Sequence, residues 1–229
     1  MELAGAFDAL VGIGEVGPLP GDPGLRYSGS TSWRGVTRHP VDLLGGAGES
    51  LGRGDRFGLA PLADGRAYWF AVSRLPAGTT VPDESAEVRR RFAGWHAPIA
   101  EVLAATDPAA VVRTDIHDLA APLRTFRRGR TVLLGDAAHA MTPDLGQGAA
   151  QAMEDAATLT RLLGTRPIDE ALDAYDRVRR ARTRPIAARA RRLGRLLQSR
   201  SPLRDPVLRL MPSAVTALQL TALQSWANR

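Results

Sequence analysis

The residues best suited to chemistry lie at positions 131–163, where an apolar run passes through a loop into a helical segment. The run at 131–135 predicts a short strand, and Asp136 follows it directly. Ligands of open α/β sheets bind just beyond the carboxyl ends of the strands. A carboxylate at that point can accept hydrogen bonds from the hydroxyls of a sugar-like ligand, so Asp136 is a candidate binding residue.

Two glycines lie where the sequence predicts the start of a helix at 147–163, which Gly164 ends. Gly146 and Gly148 let the backbone approach a planar ligand without a clash from Cβ atoms. The first amides of the helix point toward such a ligand, and the helix dipole favours negative charge there. The candidate ligand-binding residues are Gly135, Asp136, Pro143, Gly146, Gln147, Gly148 and Ala149.

This strand–loop–helix segment resembles the Gly-Asp motif and flavin-contacting helix of FAD-dependent monooxygenases of the para-hydroxybenzoate hydroxylase type. The resemblance implies that Asp136 binds the ribityl chain of FAD and that the backbone from Pro143 to Gly148 lines the isoalloxazine ring. It also implies FAD as cofactor, NADH or NADPH as co-substrate, and hydroxylation or epoxidation of a small organic substrate. It identifies no catalytic residue.

The resemblance extends, with less specific motifs, over about residues 25–200. Residues 27–35 are similar to the family's substrate-domain strand, and residues 56–70 are similar to the hairpin that follows it. Within these strands, Arg34 and Trp69 are the candidate substrate contacts. Core packing is the alternative for Trp69, and an exposed position on the strand is the alternative for Arg34.

The sequence departs from the family at its beginning. An intact member opens with a Rossmann-type unit that binds the ADP half of FAD. The glycines of 12–17 match G-x-G-x-x-G, but three prolines follow at once, so we predict a strand leading into a loop instead. Gly14 and Glu15 also stand where the family has Asp-Gly. We therefore expect a truncated member that binds FAD weakly alone. The alternatives are a non-catalytic remnant acting as a binding or interaction domain, and a half-enzyme completed by another chain.

The predicted fold class is α/β, with a substrate-binding β-sheet covered by helices, a flavin-facing strand–loop–helix, C-terminal helices and an incomplete FAD-binding domain. Predicted strands are 25–37, 56–61, 66–73 and 111–118. Helical sequence at 84–106 is interrupted near Pro98, and helices at 168–183 and 186–200 are broken at Pro185. A loop at 136–146 keeps Asp136 outside any helix. A last amphipathic segment is predicted at 213–226.

The predicted division of the chain is a remnant of the FAD-binding domain at 1–25, a substrate-binding sheet domain at 26–126, a FAD-contacting segment at 127–165 and C-terminal helices at 166–229.

Composition narrows the partners. The chain has 229 residues and no cysteine, which excludes disulfides and thiolate chemistry, and scattered histidines predict no metal site. Residues 161–229 hold 15 arginines and five acidic residues, which predicts a solvated helical face. Few aromatic residues accompany them, so we expect no nucleic-acid binding.

No apolar stretch reaches about 18 residues, so we expect no membrane span and a cytoplasmic location. Self-association or a complementing N-terminal chain is the expected protein partner.

Overall fold

The computed structural model describes residues 10–13, 22–44 and 47–210, with the backbone alone for 10–13. Its strands are β1 (Leu10–Ile13), β2 (Leu25–Val36), β3 (Gly48–Leu51), β4 (Asp55–Pro61), β5 (Ala67–Ser73), β6 (Val112–Leu119), β7 (Arg127–Arg128) and β8 (Thr131–Leu134). Its helices are α1 (Glu84–Phe92), α2 (Ile99–Ala104), α3 (Asp136–His139), α4 (Gly148–Leu163), α5 (Ile168–Leu197) and α6 (Arg204–Leu210). The predicted α/β class is confirmed, whereas the segment predicted at 213–226 lies outside the described residues.

The larger sheet is antiparallel, with strand order β3-β4-β5-β2-β6. Side chains alternate between its faces, and α1 and α2 cover the face that carries Trp33, Phe57 and Trp69. Trp69 is fully buried, donates to Thr106 Oγ1 at 2.8 Å and stacks on Phe57. The prediction that Trp69 contacts substrate is therefore wrong, because its side chain lies inside this core.

The opposite face of the larger sheet carries polar and charged side chains as well as apolar ones. Cross-strand register places Arg56, Val72 and Ser32 in one row on that face. Arg34 lies in the next row, opposite Phe70, and is half-buried. This face turns toward α5 and toward residues 140–147, here called the motif loop, which joins α3 to α4.

The smaller sheet has the order β1-β8-β7, and β1 runs parallel to β8. The apolar side chains of strand β8 are buried against α4 and α5. Leu159, Leu172 and Tyr175 of these helices belong to the same core. The Tyr175 hydroxyl donates to the Leu133 carbonyl at 3.1 Å. This core fixes the end of β8, from which the chain enters the Gly-Asp turn.

The predicted loop at 136–146 is wrong in part. Residues 136–139 form one helical turn, α3, with Asp136 as its first residue, and Pro143–Leu145 form a 3₁₀ turn. The turn closes because the amides of His139 and Ala140 donate to the carbonyls of Gly135 and Asp136. Asp136 therefore lies at the amino-terminal end of a single turn, not outside a helix as expected.

The predicted break at Pro185 is also wrong, because α5 continues through it from Ile168 to Leu197. A proline inside a helix costs about 3 kcal/mol, since it removes a hydrogen bond and crowds the preceding turn. Here the residues on both sides of it are buried on one helical face, including Tyr175, Thr183, Ile186 and Ala190. Their burial offsets that cost. No described helix is long and apolar enough to cross a membrane.

Candidate functional site

The Gly135-Asp136 turn presents a carboxylate at the end of β8. Gly135 has φ 58° and ψ −137°, a conformation that residues with a Cβ rarely adopt. An added Cβ would also lie 3.3 Å from the Ala152 Cβ on α4. The Asp136 side chain is exposed, and none of the described residues donates a hydrogen bond to it. Its oxygens are therefore available to a hydroxyl-bearing ligand.

A buried ionic group holds this turn in place. Asp155 on α4 is fully buried and accepts hydrogen bonds from the Gly135 amide at 2.8 Å, His139 Nε2 at 2.7 Å and Arg179 Nε at 2.5 Å. These four residues are called the Asp155 network below. Burial alone would raise the pKa of Asp155, yet the hydrogen bonds and charges of its partners hold that pKa below its ordinary value.

Arg179 departs from the expected solvated arginine face, because it is fully buried on α5. Its guanidinium also contacts Glu154 at 2.8 Å and the Gln151 side chain at 2.9 Å. Arg179 lies four residues from both Tyr175 and Thr183, which are buried too. Residues four positions apart lie on the same face of a helix, so this spacing could have predicted that Arg179 lies on the buried face of α5.

The amino-terminal end of α4 has no side-chain cap. Gln147 occupies the N-cap position but makes no side-chain capping bond, and the first turn has no acidic residue. Gly146 has φ 61° and needs glycine for its backbone conformation. Gly148 does not, and a Cβ added there would meet nothing within 4 Å. A glycine at position 148 therefore leaves room for a ligand to approach the start of the helix closely. The uncapped amides there can bind a negatively charged group of that ligand.

A cavity of about 300 Å³ lies between the larger sheet, the motif loop and α5. Its walls include Ser28, Arg56, Val72, Thr142, Asp144, Arg191 and Gln198. Arg56 Nη2 donates to Asp144 Oδ1 at 2.5 Å, which joins β4 to the motif loop. Neither Arg34 nor Trp69 lines this cavity, and a substrate contact for Arg34 stays a prediction.

The structure thus gathers the predicted ligand residues 135–149 around one turn and one helix start. The cavity residues were missed, because they come from strands and a helix far apart in sequence. Arg56 had a weak signal, since it precedes the core residue Phe57 on its strand and must point to the other face. No local pattern marks Gln198.

A family model described as FAD binding domain matches residues 47–190, more than half of the chain. The Aurachin C monooxygenase/isomerase of Stigmatella aurantiaca is 43% identical over 203 residues, which are 84% of this chain and 52% of that protein. The FAD-dependent urate hydroxylase of Klebsiella pneumoniae is 39% identical over 175 residues, 74% of this chain and 45% of that protein.

A solved structure is also similar to this chain. The crystal structure of Klebsiella pneumoniae HpxO complexed with FAD and uric acid superposes with a TM-score of 0.74 at 36% identity, over 81% of this chain and 49% of that one. The chain thus spans about half the length of the relatives it matches. The relatives named above are thus a monooxygenase/isomerase and an FAD-dependent hydroxylase, and this chain belongs to the FAD binding domain family.

Proposed function

We propose that the described residues hold the isoalloxazine end of FAD and the organic substrate of an NADH- or NADPH-dependent monooxygenase. The observation that carries the proposal is the position of the motif loop. Its Thr142 and Asp144 line the cavity, while its other end leads into the open start of α4. A small molecule in the cavity would therefore lie beside a ring bound at the helix start.

The roles follow from the geometry of the motif. Asp136 accepts hydrogen bonds from the ribityl hydroxyls, because its carboxylate is exposed and has no donor among the described residues. The amides at the start of α4 have no side-chain cap and would stabilise negative charge on a flavin bound there. The proposed cofactor residues are Gly135, Asp136, Pro143, Gly146, Gln147, Gly148 and Ala149.

When bound, the flavin supplies the oxygen-transfer chemistry, and the protein supplies position and a sheltered cavity. His139 is a positioning residue in this proposal, since it is buried and its Nε2 bonds to Asp155. Arg56 and Asp144 hold the motif loop against the sheet and would thereby position a bound flavin relative to a molecule in the cavity. We assign no acid or base.

Gly148→Val tests the proposal. The new side chain is expected to leave the free energy of unfolding nearly unchanged, because the position is open space within the chain. It is expected to lower flavin affinity about tenfold or more, roughly 1.4 kcal/mol, because it occupies the volume of the ring. Fluorescence quenching of riboflavin, FMN and FAD by the 229-residue chain measures this, at flavin concentrations suited to weak binding.

Gly94→Val is the matched control. An added Cβ at Gly94 also meets nothing within 4 Å, and the residue lies beyond the end of α1, away from the motif. The control should bind each flavin as the unchanged chain does. Equal flavin affinity of the Gly148→Val and unchanged chains would contradict the proposed position of the ring.

A further inference from the structure

Helix α5 contains a single glycine, Gly194, in its carboxyl-terminal part. The backbone there is helical, so no unusual dihedral angle requires a glycine. Glycine within a helix lowers stability relative to alanine, because it loses more conformational freedom on folding. The backbone of α5 alone therefore does not explain this glycine.

The motif loop approaches α5 at this glycine. A Cβ atom added at Gly194 would overlap Asp144 Oδ2 and would lie 2.7 Å from Asp144 Cγ and 3.1 Å from Oδ1. Non-bonded carbon atoms normally lie about 3.5–4.0 Å from their neighbours. The Asp144 carboxylate thus lies directly against the backbone of α5, where no side chain other than that of glycine fits.

The Asp144 carboxylate is also held from its other side. Its side chain is only 5% exposed, and its Oδ1 accepts a hydrogen bond from Arg56 Nη2 at 2.5 Å. Arg56 is buried, and its second carboxylate partner, Glu49, lies farther away at 3.4 Å. Moving Asp144 aside would separate a buried guanidinium from its closer balancing charge, which is costly. The carboxylate therefore cannot yield freely to a side chain at position 194.

The position of Asp144 is coupled to the start of α4. Asp144 lies in the 3₁₀ turn Pro143–Leu145, which the Gly146 amide closes by donating to the Pro143 carbonyl at 2.8 Å. Helix α4 begins two residues later, at Gly148. A displaced Asp144 would therefore shift the backbone that leads into the helix start.

We propose that Gly194 is a positioning residue for the flavin-facing segment. Because it has no side chain, the motif loop can place Asp144 between α5 and Arg56, and this contact fixes residues 146–148. Gly194 acts through Asp144 and touches no ligand itself. Its effect on flavin binding rests on the proposed function, whereas its effect on the motif loop does not.

A double-mutant cycle of Gly194→Ala and Asp144→Ala tests the contact by urea unfolding of the 229-residue chain. Gly194→Ala alone should lower the folding equilibrium constant about tenfold or more, the range for losing one charge-assisted hydrogen bond. In the Asp144→Ala chain the carboxylate atoms that would clash are absent. There Gly194→Ala should instead raise the constant about fivefold, the usual gain of alanine over glycine in a helix.

Amide chemical shifts of the ¹⁵N-labelled chain without flavin measure the position of the segment. Gly194→Ala should move the amides of residues 146–149, but should not move them when it is added to Asp144→Ala. It should also weaken FMN binding about tenfold or more. Gly164→Ala is the matched control, because Gly164 has φ −76° and an added Cβ would lie no closer than 3.5 Å to any neighbour. The control should change neither the shifts nor FMN affinity.

The inference is overturned if Gly194→Ala is as stable as the unchanged chain, if its effect on stability is the same in both backgrounds, or if the amides of 146–149 stay in place. A Gly194→Ala chain that folds only together with Asp144→Ala would support the inference. A double variant that fails to fold although Asp144→Ala folds would contradict it. Moved amides with unchanged FMN affinity would contradict only the flavin role, because the contact itself involves no flavin.

Discussion

Replacing Asp155 by asparagine is expected to lower the free energy of unfolding by about 3 kcal/mol, because the substitution removes the main balancing charge from buried Arg179. Asp155 and Arg179 are both fully buried, and the other carboxylate near Arg179, Glu154, is partly exposed. The Gly135 amide and His139 lose their charged acceptor too. Urea unfolding measures the change. Glu87→Gln, which weakens only ion pairs on α1, is the control and should cost less than about 1 kcal/mol.

The same substitution separates stability from positioning. A double variant, Asp155→Leu with Arg179→Met, replaces the buried pair with apolar side chains and should recover part of the lost stability. It should not recover flavin affinity, because no acceptor then holds the Gly135 amide and the Asp136 carboxylate shifts. A double variant that binds flavin like the unchanged chain would show that the Asp155 network contributes stability only.

The dependence of stability on pH gives an independent test of whether Asp155 is ionised in the folded chain. Its pKa in the folded chain lies below the ordinary value of 3.8, so its contribution is fully present above about pH 5. As the pH falls further, the unfolded chain takes up the proton before the folded chain does, and the contribution decreases until it is lost below the folded pKa. The stability of Asp155→Asn should therefore fall less steeply with acid than that of the unchanged chain. Equal slopes would contradict the ionised state of Asp155.

Trp69→Ala is expected to cost about 3–5 kcal/mol, the range for emptying a large aromatic site in a core. Trp69 is fully buried, stacks on Phe57 with ring centroids 5.5 Å apart and bonds to Thr106. A loss of that size approaches the whole stability of many domains, so the variant should unfold at low denaturant concentration. Tyr68→Ala removes the neighbouring ring from the other face, where it is half-buried, and should cost less.

The outcome also separates the two interpretations of Trp69 that the sequence left open. A Trp69→Ala chain that stays folded with near-normal stability would contradict the core assignment and favour the substrate contact. Trp69→Phe should retain most of the stability and leave flavin affinity unchanged, because Trp69 lies on the face opposite the cavity and the motif loop.

The sequence predicted best where the signal is local. The strand, the Gly135-Asp136 step and the helix start at Gly148 lie within a short segment, and each has its own residue preference. Prediction failed where distant packing overrides local propensity. Pro185 stays helical because residues on both sides of it are buried on one face of α5. Asp136 enters a helical turn that the buried Asp155, on the following helix, supports through His139.

The cavity could not be predicted from the sequence for a related reason. Arg56 and Gln198 stand 142 positions apart and meet only through the fold, so no spacing rule connects them. Strand alternation could place Arg56 opposite the core, but not show that α5 and the motif loop close over it. The relation between cavity and motif, on which the proposed function depends, therefore comes from the structure.

The most direct test of the flavin position is a titration of the ¹⁵N-labelled 229-residue chain with FAD, followed by amide chemical shifts. We predict that the largest shifts fall at Gly135 and Asp136 and at residues 146–149, with smaller shifts around Thr142. The amides of α1 and α2, on the other face of the sheet, should not move. Shifts concentrated on α1 and α2, or saturation with the amides of 146–149 unmoved, would contradict a flavin ring at the start of α4.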